Sequence, residues 1–371
     1  MSRFLQLLIC LSLLGLVGCA SQPRSGAPGR GDAVSGDATI STQSSSRSQT
    51  LQRLRDEAAL LQPLAQSTIA RQFLAATSAL PPVVPRTAYI NEISREYFSP
   101  AARDALPEAR RVQLSKVELD EFRYYYTKYG SPLAYVRALD FAADENFRDV
   151  AGKRILDFGY GSIGHVRLLA SLGAQVTGVD PDSYLAALYA DRSDQGTVAL
   201  ASGASGFRRG RGSIKLVHGF WPKDPKIVDQ VGGGFDLILS KNTLKRGYIK
   251  PERKVDDKRQ LIELGVSDQV FLSALFNALV PGGKLVIYNL HPRPSGPKEK
   301  YRPMADGRSP FNREQYERAG FKVIAFDSGD HINARKMGRL LGWDKNPAGE
   351  TVDDLDNNLF ALVTILGRPL R

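Results

Sequence analysis

The residues best placed to do chemistry lie in the run Arg154 to Asp182, RILDFGYGSIGHVRLLASLGAQVTGVDPD. Gly159, Gly161 and Gly164 follow the spacing G-x-G-x-x-G, Asp157 stands two positions before the first glycine, and Asp180 closes the next apolar stretch. A strand, glycine turn, helix and second strand in this order surround an adenosine-type ligand with backbone N–H groups and one carboxylate. Asp180 is suited to ribose hydroxyls whichever such ligand is bound. The pattern specifies binding, and the reaction must come from elsewhere.

Asp157 separates two ligand classes that share this spacing. A carboxylate beside the turn repels a pyrophosphate, which weighs against a nicotinamide dinucleotide and an oxidoreductase. It suits a cation. S-adenosyl-L-methionine has no phosphate, a positive amino group and sulfonium, and one carboxylate that can sit against free N–H groups at a helix start.

The segments ILDFGYG, VTGVDPD, FDLILSKNTL and LVPGGKLVIYNL, in this order, resemble the class I S-adenosylmethionine-dependent methyltransferases over about Ala151 to Arg371. The resemblance implies a Rossmann-like, mostly parallel sheet of seven strands with an antiparallel C-terminal strand. It implies a cofactor site of Asp157, Gly159, Gly161, Gly164, Asp180, Gly219 and Ser240, in which Asp157 to Gly164 lies beside the methionine part, Asp180 holds the ribose and the region of His218 and Gly219 borders adenine. It places Ser240, Lys241, Asn242, Lys245 and Tyr248 of SKNTLKRGYI near the methionine part and the methyl acceptor. Ile163 departs from the family pattern by occupying the third glycine position.

Methyl transfer from a sulfonium is an in-line displacement that requires alignment and, for an alcohol or amine acceptor, removal of a proton. His165, His218, His291 and His331 all fall at or beyond expected carboxyl ends of strands, the ligand edge of an open α/β sheet. His165 and His218 read as structural, whereas His291, His331 and Asn242 are the catalytic candidates. The N-P-P-Y signature of nucleobase and glutamine amide methylation is absent, and no acceptor is singled out. No histidine pair at i, i+4 and no grouped cysteines provide a metal site, which disfavours a cation-dependent catechol-type mechanism. A non-catalytic nucleoside-binding or scaffolding protein of the cell envelope is the alternative.

The elements that must position these groups follow from periodicity. Strands are predicted at Lys153–Phe158, Gln175–Val179, Ile214–His218, Phe235–Ser240, Lys284–Asn289, Phe321–Asp327 and Leu359–Leu366. Helices are predicted from about Ile163 to Leu172, from Ser183, and over Ser267–Leu279, Phe311–Gly320 and Ile332–Leu341. Residues 202–213, glycine-rich and basic without regular aromatic interleaving, read as a surface loop rather than a nucleic-acid groove. Upstream, residues 51–150 read as a helical accessory region. A helix from Leu51 is broken near Pro63, a second over Lys116–Tyr129 is capped by Ser115 and Glu118, and a third restarts at Ser131 and Pro132. The aromatic residues Phe122, Tyr124, Tyr125, Tyr126, Tyr129 and Tyr135 read mainly as core and rim packing.

Residues 1–18 have the length and apolarity of a secretory leader, and Leu16, Val17, Gly18 and Cys19 match a bacterial lipobox, implying cleavage before a diacylated Cys19. Residues 19–50, poor in large apolar side chains, read as a tether, and residues 151–371 as the methyltransferase domain. The expectation is a lipoprotein anchored through Cys19 on the periplasmic side of the envelope, or a cytoplasmic chain if synthesis begins at a later start. Cys10 falls in the leader, so no intramolecular disulfide is expected. The formal charge of +11 is compatible with acidic partners but describes a solvated basic surface equally well.

Overall fold

The computed structural model describes residues 48–127, 130–201 and 211–370. Cys19, the leader and nearly all of the tether lie outside the described residues, as do Tyr129 and most of the basic glycine-rich loop.

The organising element is an eight-stranded sheet of β4 (Arg154–Phe158), β5 (Gln175–Asp180), β6 (Gly196–Val198), β7 (Gly212–His218), β8 (Phe235–Lys241), β9 (Leu279–His291), β10 (Lys322–Gly329) and β11 (Phe360–Gly367). Its order is β10-β11-β9-β8-β4-β5-β7-β6. The five strands from β9 to β7 run parallel, while β11 is antiparallel to both β9 and β10. This is the expected Rossmann-like sheet with its antiparallel strand, extended by the three-residue edge strand β6, which pairs antiparallel with β7. β6 was not legible because GTV is too short to show a period. Pro281, Gly282 and Gly283, which precede the predicted strand Lys284–Asn289, are absorbed into the thirteen-residue β9.

β4 is buried from Ile155 onward because both of its faces are covered, and Asp157 is its one polar residue in that stretch. Alternation sends Ile155 into a core shared with Val166, Leu139 and Phe73, and Leu156 into a second core with Ile238, Phe271 and Leu275. The chain passes from β4 to β5 and β7 on one side, then returns to β8 on the other, so its direction of travel across the sheet reverses between β4 and β8. An open α/β sheet leaves a crevice at such a reversal, beyond the carboxyl ends of the strands.

The accessory region lies over that first core. Its helix Gln49–Leu61 starts at Ser48, whose Oγ accepts from the Leu51 N–H at 3.0 Å, and gives way at Pro63 to a short 3₁₀ turn. Helix Thr68–Ala75 follows, with Ser67 as its cap. The helix expected over Lys116–Tyr129 is not formed. Ser115–Leu119 is instead a strand, β3, paired antiparallel with β1 (Arg86–Ile90), which also pairs with β2 (Tyr97–Phe98). Among the described residues of that range only Glu121–Tyr125 is helical, capped by Asp120. The alternation of SKVEL suits an edge strand, and pairing outweighs the apparent Ser115–Glu118 capping box.

One buried charge network fixes this region to the sheet. Arg137, on helix Val136–Ala142, is 2% exposed. It donates to Asp140 at 2.6 Å and to both oxygens of Asp330 at 2.9 and 3.0 Å. Asp140 also accepts from the Gln66 and Ser67 N–H groups, and Asp330 accepts from the Tyr288 hydroxyl of β9 at 3.0 Å. Three separate segments therefore meet on one guanidinium. Among the described residues no helix is long and apolar enough to cross a membrane.

Removing one partner from such a cluster strands the others without water. Arg137→Ala is expected to lower unfolding free energy by about 3–5 kcal/mol in chemical denaturation; a loss below about 1 kcal/mol would show that the network carries no weight.

Candidate functional site

A cavity of about 570 Å³ occupies the crevice at the strand reversal, within the usual range for small-molecule sites. Its floor comes from the carboxyl ends of β4, β5, β8 and β9, and its roof from accessory residues including Glu57, Phe122, Tyr126 and Tyr135.

Gly159, Gly161, Asp180, Gly219 and Trp221 are among the lining residues. Gly159 and Gly161 have φ of 76° and 61°, and a Cβ at Gly159 would come within 2.3 Å of Thr243 Oγ1. Only glycine allows this close approach of the turn to the end of β8. A Cβ at Gly219 would meet Ile227 at 2.5 Å. Asp180 sits at the end of β5, where its Oδ1 accepts from the Asp182 N–H at 2.9 Å. Trp221 Nε1 is buried with no hydrogen-bond partner among the described residues, and so is Nδ1 of neighbouring His218. Burial holds the His218 imidazolium below its ordinary range. A carboxylate at a strand end beside a glycine turn fits a nucleoside; His218 itself is not among the cavity-lining residues.

Four residues that spacing assigns to the site turn away from the cavity. Asp157 is fully buried, and its Oδ2 pairs with Nε2 of fully buried His165. The Tyr135 ring stacks on that imidazole at 3.6 Å, closing the pair off from above. The carboxylate expected to meet a cationic ligand is thus a structural partner. Gly164 is also buried, and a Cβ there would lie 2.3 Å from the Tyr125 carbonyl oxygen, so it serves helix packing rather than cofactor contact. Ser240 is 1% exposed and its Oγ accepts from the Leu244 N–H at 3.2 Å, stabilising the turn after β8. His331 accepts at Nδ1 from the Ala361 N–H at 3.1 Å and packs edge-on against Phe360, on the antiparallel side of the sheet and outside the cavity lining.

The helix start departs from expectation too. Ser162 and Ile163 have no exposed surface, and the Ile163 N–H donates to the Tyr189 hydroxyl at 3.0 Å. That N–H is taken by the protein.

Lys241, Asn242, Lys245, Tyr248 and His291 also line the cavity, Lys241 next to the glycine turn. Asn242 has φ of 64°, and its Oδ1 accepts from the Leu290 N–H at 2.7 Å. Its side chain clamps β8 to β9, which leaves it a positioning part. His291 is 6% exposed; Nδ1 donates to the Pro292 carbonyl at 2.9 Å and Nε2 has no partner among the described residues. Burial and the Lys245 charge push it down to about 4, so it stays neutral near pH 7. Lys245 is 3% exposed and its Nζ donates to the Leu290 carbonyl at 2.5 Å. Burial first, then the charge of Lys241, brings it down to about 7. Lys241 keeps part of its surface open and lies 5.4 Å from the centroid of Tyr135. Burial takes it down to about 8 against the pull of Asp157. Both lysines are displaced toward neutrality mainly by burial, which their position in the sequence did not reveal because burial depends on residues distant in the chain.

No protein-family model and no curated protein matches the chain. Among solved structures the chain is similar to phosphoethanolamine N-methyltransferase 2 of Haemonchus contortus in complex with S-adenosyl-L-methionine, at 14% identity over 77% of this chain and 68% of that one, with a TM-score of 0.38. It is similar to a cyclopropane synthase of Mycobacterium tuberculosis at 12% identity, 58% and 78% coverage and a TM-score of 0.34. It is also similar to an S-adenosylmethionine dependent methyltransferase of Mesorhizobium loti at 19% identity, 63% and 98% coverage and a TM-score of 0.33. The fold itself is fixed by the strand order and crossovers described above.

Proposed function

We propose that this chain transfers a methyl group from S-adenosyl-L-methionine to an acceptor bound between Lys245, Tyr248 and His291. The observation that carries the reading is the placement of Asp180 and the Gly159–Gly161 turn on one cavity at the strand reversal. Asp180 would hold the ribose, Gly219 and Trp221 would border the base, and Gly159 and Gly161 would let the methionyl half approach the backbone. When bound, the cofactor supplies an electrophilic methyl on a sulfonium.

The chain's own contribution is alignment and proton removal. Lys245 is the better matched proton acceptor, since a base near pH 7 combines availability with strength, whereas His291 is too weak a base at about 4. His291 offers Nε2 as a hydrogen-bond acceptor to orient the acceptor molecule. The Tyr135 and Tyr126 rings above exclude water, which strengthens every charge interaction beneath them.

The second reading, a nucleoside-binding protein without turnover, draws support from the occupied helix start and from the cation Lys241 at the glycine turn. Both would retain nucleoside affinity. Only the first yields labelled methyl in an envelope or cytosol fraction incubated with labelled cofactor. Anchoring through Cys19 at the envelope belongs to the same proposal and is supported by the lipobox.

In calorimetry with S-adenosylhomocysteine, Asp180→Ala is expected to weaken binding roughly tenfold or more with the melting temperature little changed, while Asp157→Ala destabilises the fold by about 1–3 kcal/mol by orphaning His165. Equal affinity for wild type and Asp180→Ala would refute the ribose assignment. Because Lys245 must lose its proton to act, the methylation rate should rise as pH passes about 7 and level off above it. A flat profile, or one unchanged in Lys245→Met, would remove it from that role. Cys19→Ser should move the protein out of the membrane fraction, and continued sedimentation with membranes would count against the anchor.

A further inference from the structure

The site has an unassigned charge. A ligand that joins an adenosine to an amino acid brings a carboxylate, and an anion that leaves water needs a counter-charge or several N–H donors. The helix start after the glycine turn is the expected donor, but Ser162 and Ile163 are fully buried and the Ile163 N–H is bonded to Tyr189. Gly164 is pressed against the Tyr125 carbonyl and Pro132, which shuts the same end from the other side.

Three cationic side chains face the cavity among the described residues. Arg53 is paired with Glu57 at 2.9 Å, and Lys245 is directed at the Leu290 carbonyl. The Lys241 ammonium makes no hydrogen bond or ion pair with any described residue and rests over the Tyr135 ring. Its place follows from register: Asp157 is aligned with Leu239 across the parallel pair β4 and β8, so Lys241, two residues on, stands beside Gly159. The approach of Thr243 to Gly159 confirms that the turn and the end of β8 touch. Asp157 attracts Lys241 through space but forms no hydrogen bond or ion pair with it: its Oδ2 pairs with His165 and its Oδ1 has no hydrogen-bond partner among the described residues.

We infer that Lys241 is the counter-charge for the carboxylate of the ligand's amino-acid half, so that the cavity selects adenosyl amino acids over adenosyl compounds lacking that carboxylate. This rests on the cofactor reading above. Lys241 remains mainly protonated near neutral pH despite its burial, and a carboxylate in contact would strengthen that protonation. The Tyr135 face holds the ammonium without supplying an anion of its own, which leaves its N–H donors for the ligand.

The test is calorimetry on the full chain with S-adenosylhomocysteine and its decarboxylated analogue, a pair differing only in the carboxylate and both free of the sulfonium charge. Wild type should prefer S-adenosylhomocysteine by roughly tenfold to hundredfold, the span expected for a charge-assisted hydrogen bond. Lys241→Met should reduce the preference to within about threefold by weakening the carboxylate form alone, and Lys241→Arg should restore most of it. Equal affinities in wild type, or a preference that survives Lys241→Met, would overturn the assignment, the first without requiring any variant to fold. If wild type binds neither compound, the cofactor reading falls and this inference with it.

Discussion

The guanidinium of Arg137 is the constraint on which the cavity depends. A cation removed from water is tolerable only when its donors are matched by anions held in place, and here the anions come from different parts of the chain. Asp140 is fixed by the backbone before helix Thr68–Ala75, and Asp330 by Tyr288 of β9 and by Asn333. The geometry can be satisfied only when the accessory helices lie on the sheet. The roof over the strand reversal is therefore set by charge as well as by the apolar core that runs from Leu54 through Phe73 to Ile155.

Beneath that roof, polar groups are arranged in two tiers. The lower tier, Asp157 with His165 capped by Tyr135, is wholly internal and holds the glycine turn to the first helix of the sheet domain. The upper tier, Lys241 with Lys245, faces the cavity and is driven toward neutrality by the same burial. The charged side chains that face the cavity at this turn are thus lysines, whereas the acid seen in the sequence is internal.

Much of the sheet was legible because its signals are local. ILDF, VTGV and LVIY are apolar runs of strand length, Gly173 follows a helical period, and β11 shows the same apolar continuity. Asp180, Gly159, Gly161 and Gly219 line the cavity, since a strand end fixes where the next residues point. What failed depends on partners distant in sequence. β3 exists because Arg86–Ile90 lies beside it, and Asp157 turns inward because His165 and Tyr135 meet it there. Ser240, Gly164 and His331 were assigned by spacing, which does not show what stands opposite a side chain.

The position of β11 has a bearing on how the sheet is assembled. It comes last among the strands yet lies between β9 and β10, so β10 has no partner in the sheet until residues 360–367 are in place. From the synthesis of β9 until residues 360–367 follow, the edge of β9 is bare, with the backbone of Val286, Ile287 and Tyr288 unpaired on that side. Pairings that span so much sequence close slowly, because the loop entropy is lost before contacts return it. The interval before closure is the one in which a holding chaperone would matter most for the yield of folded protein.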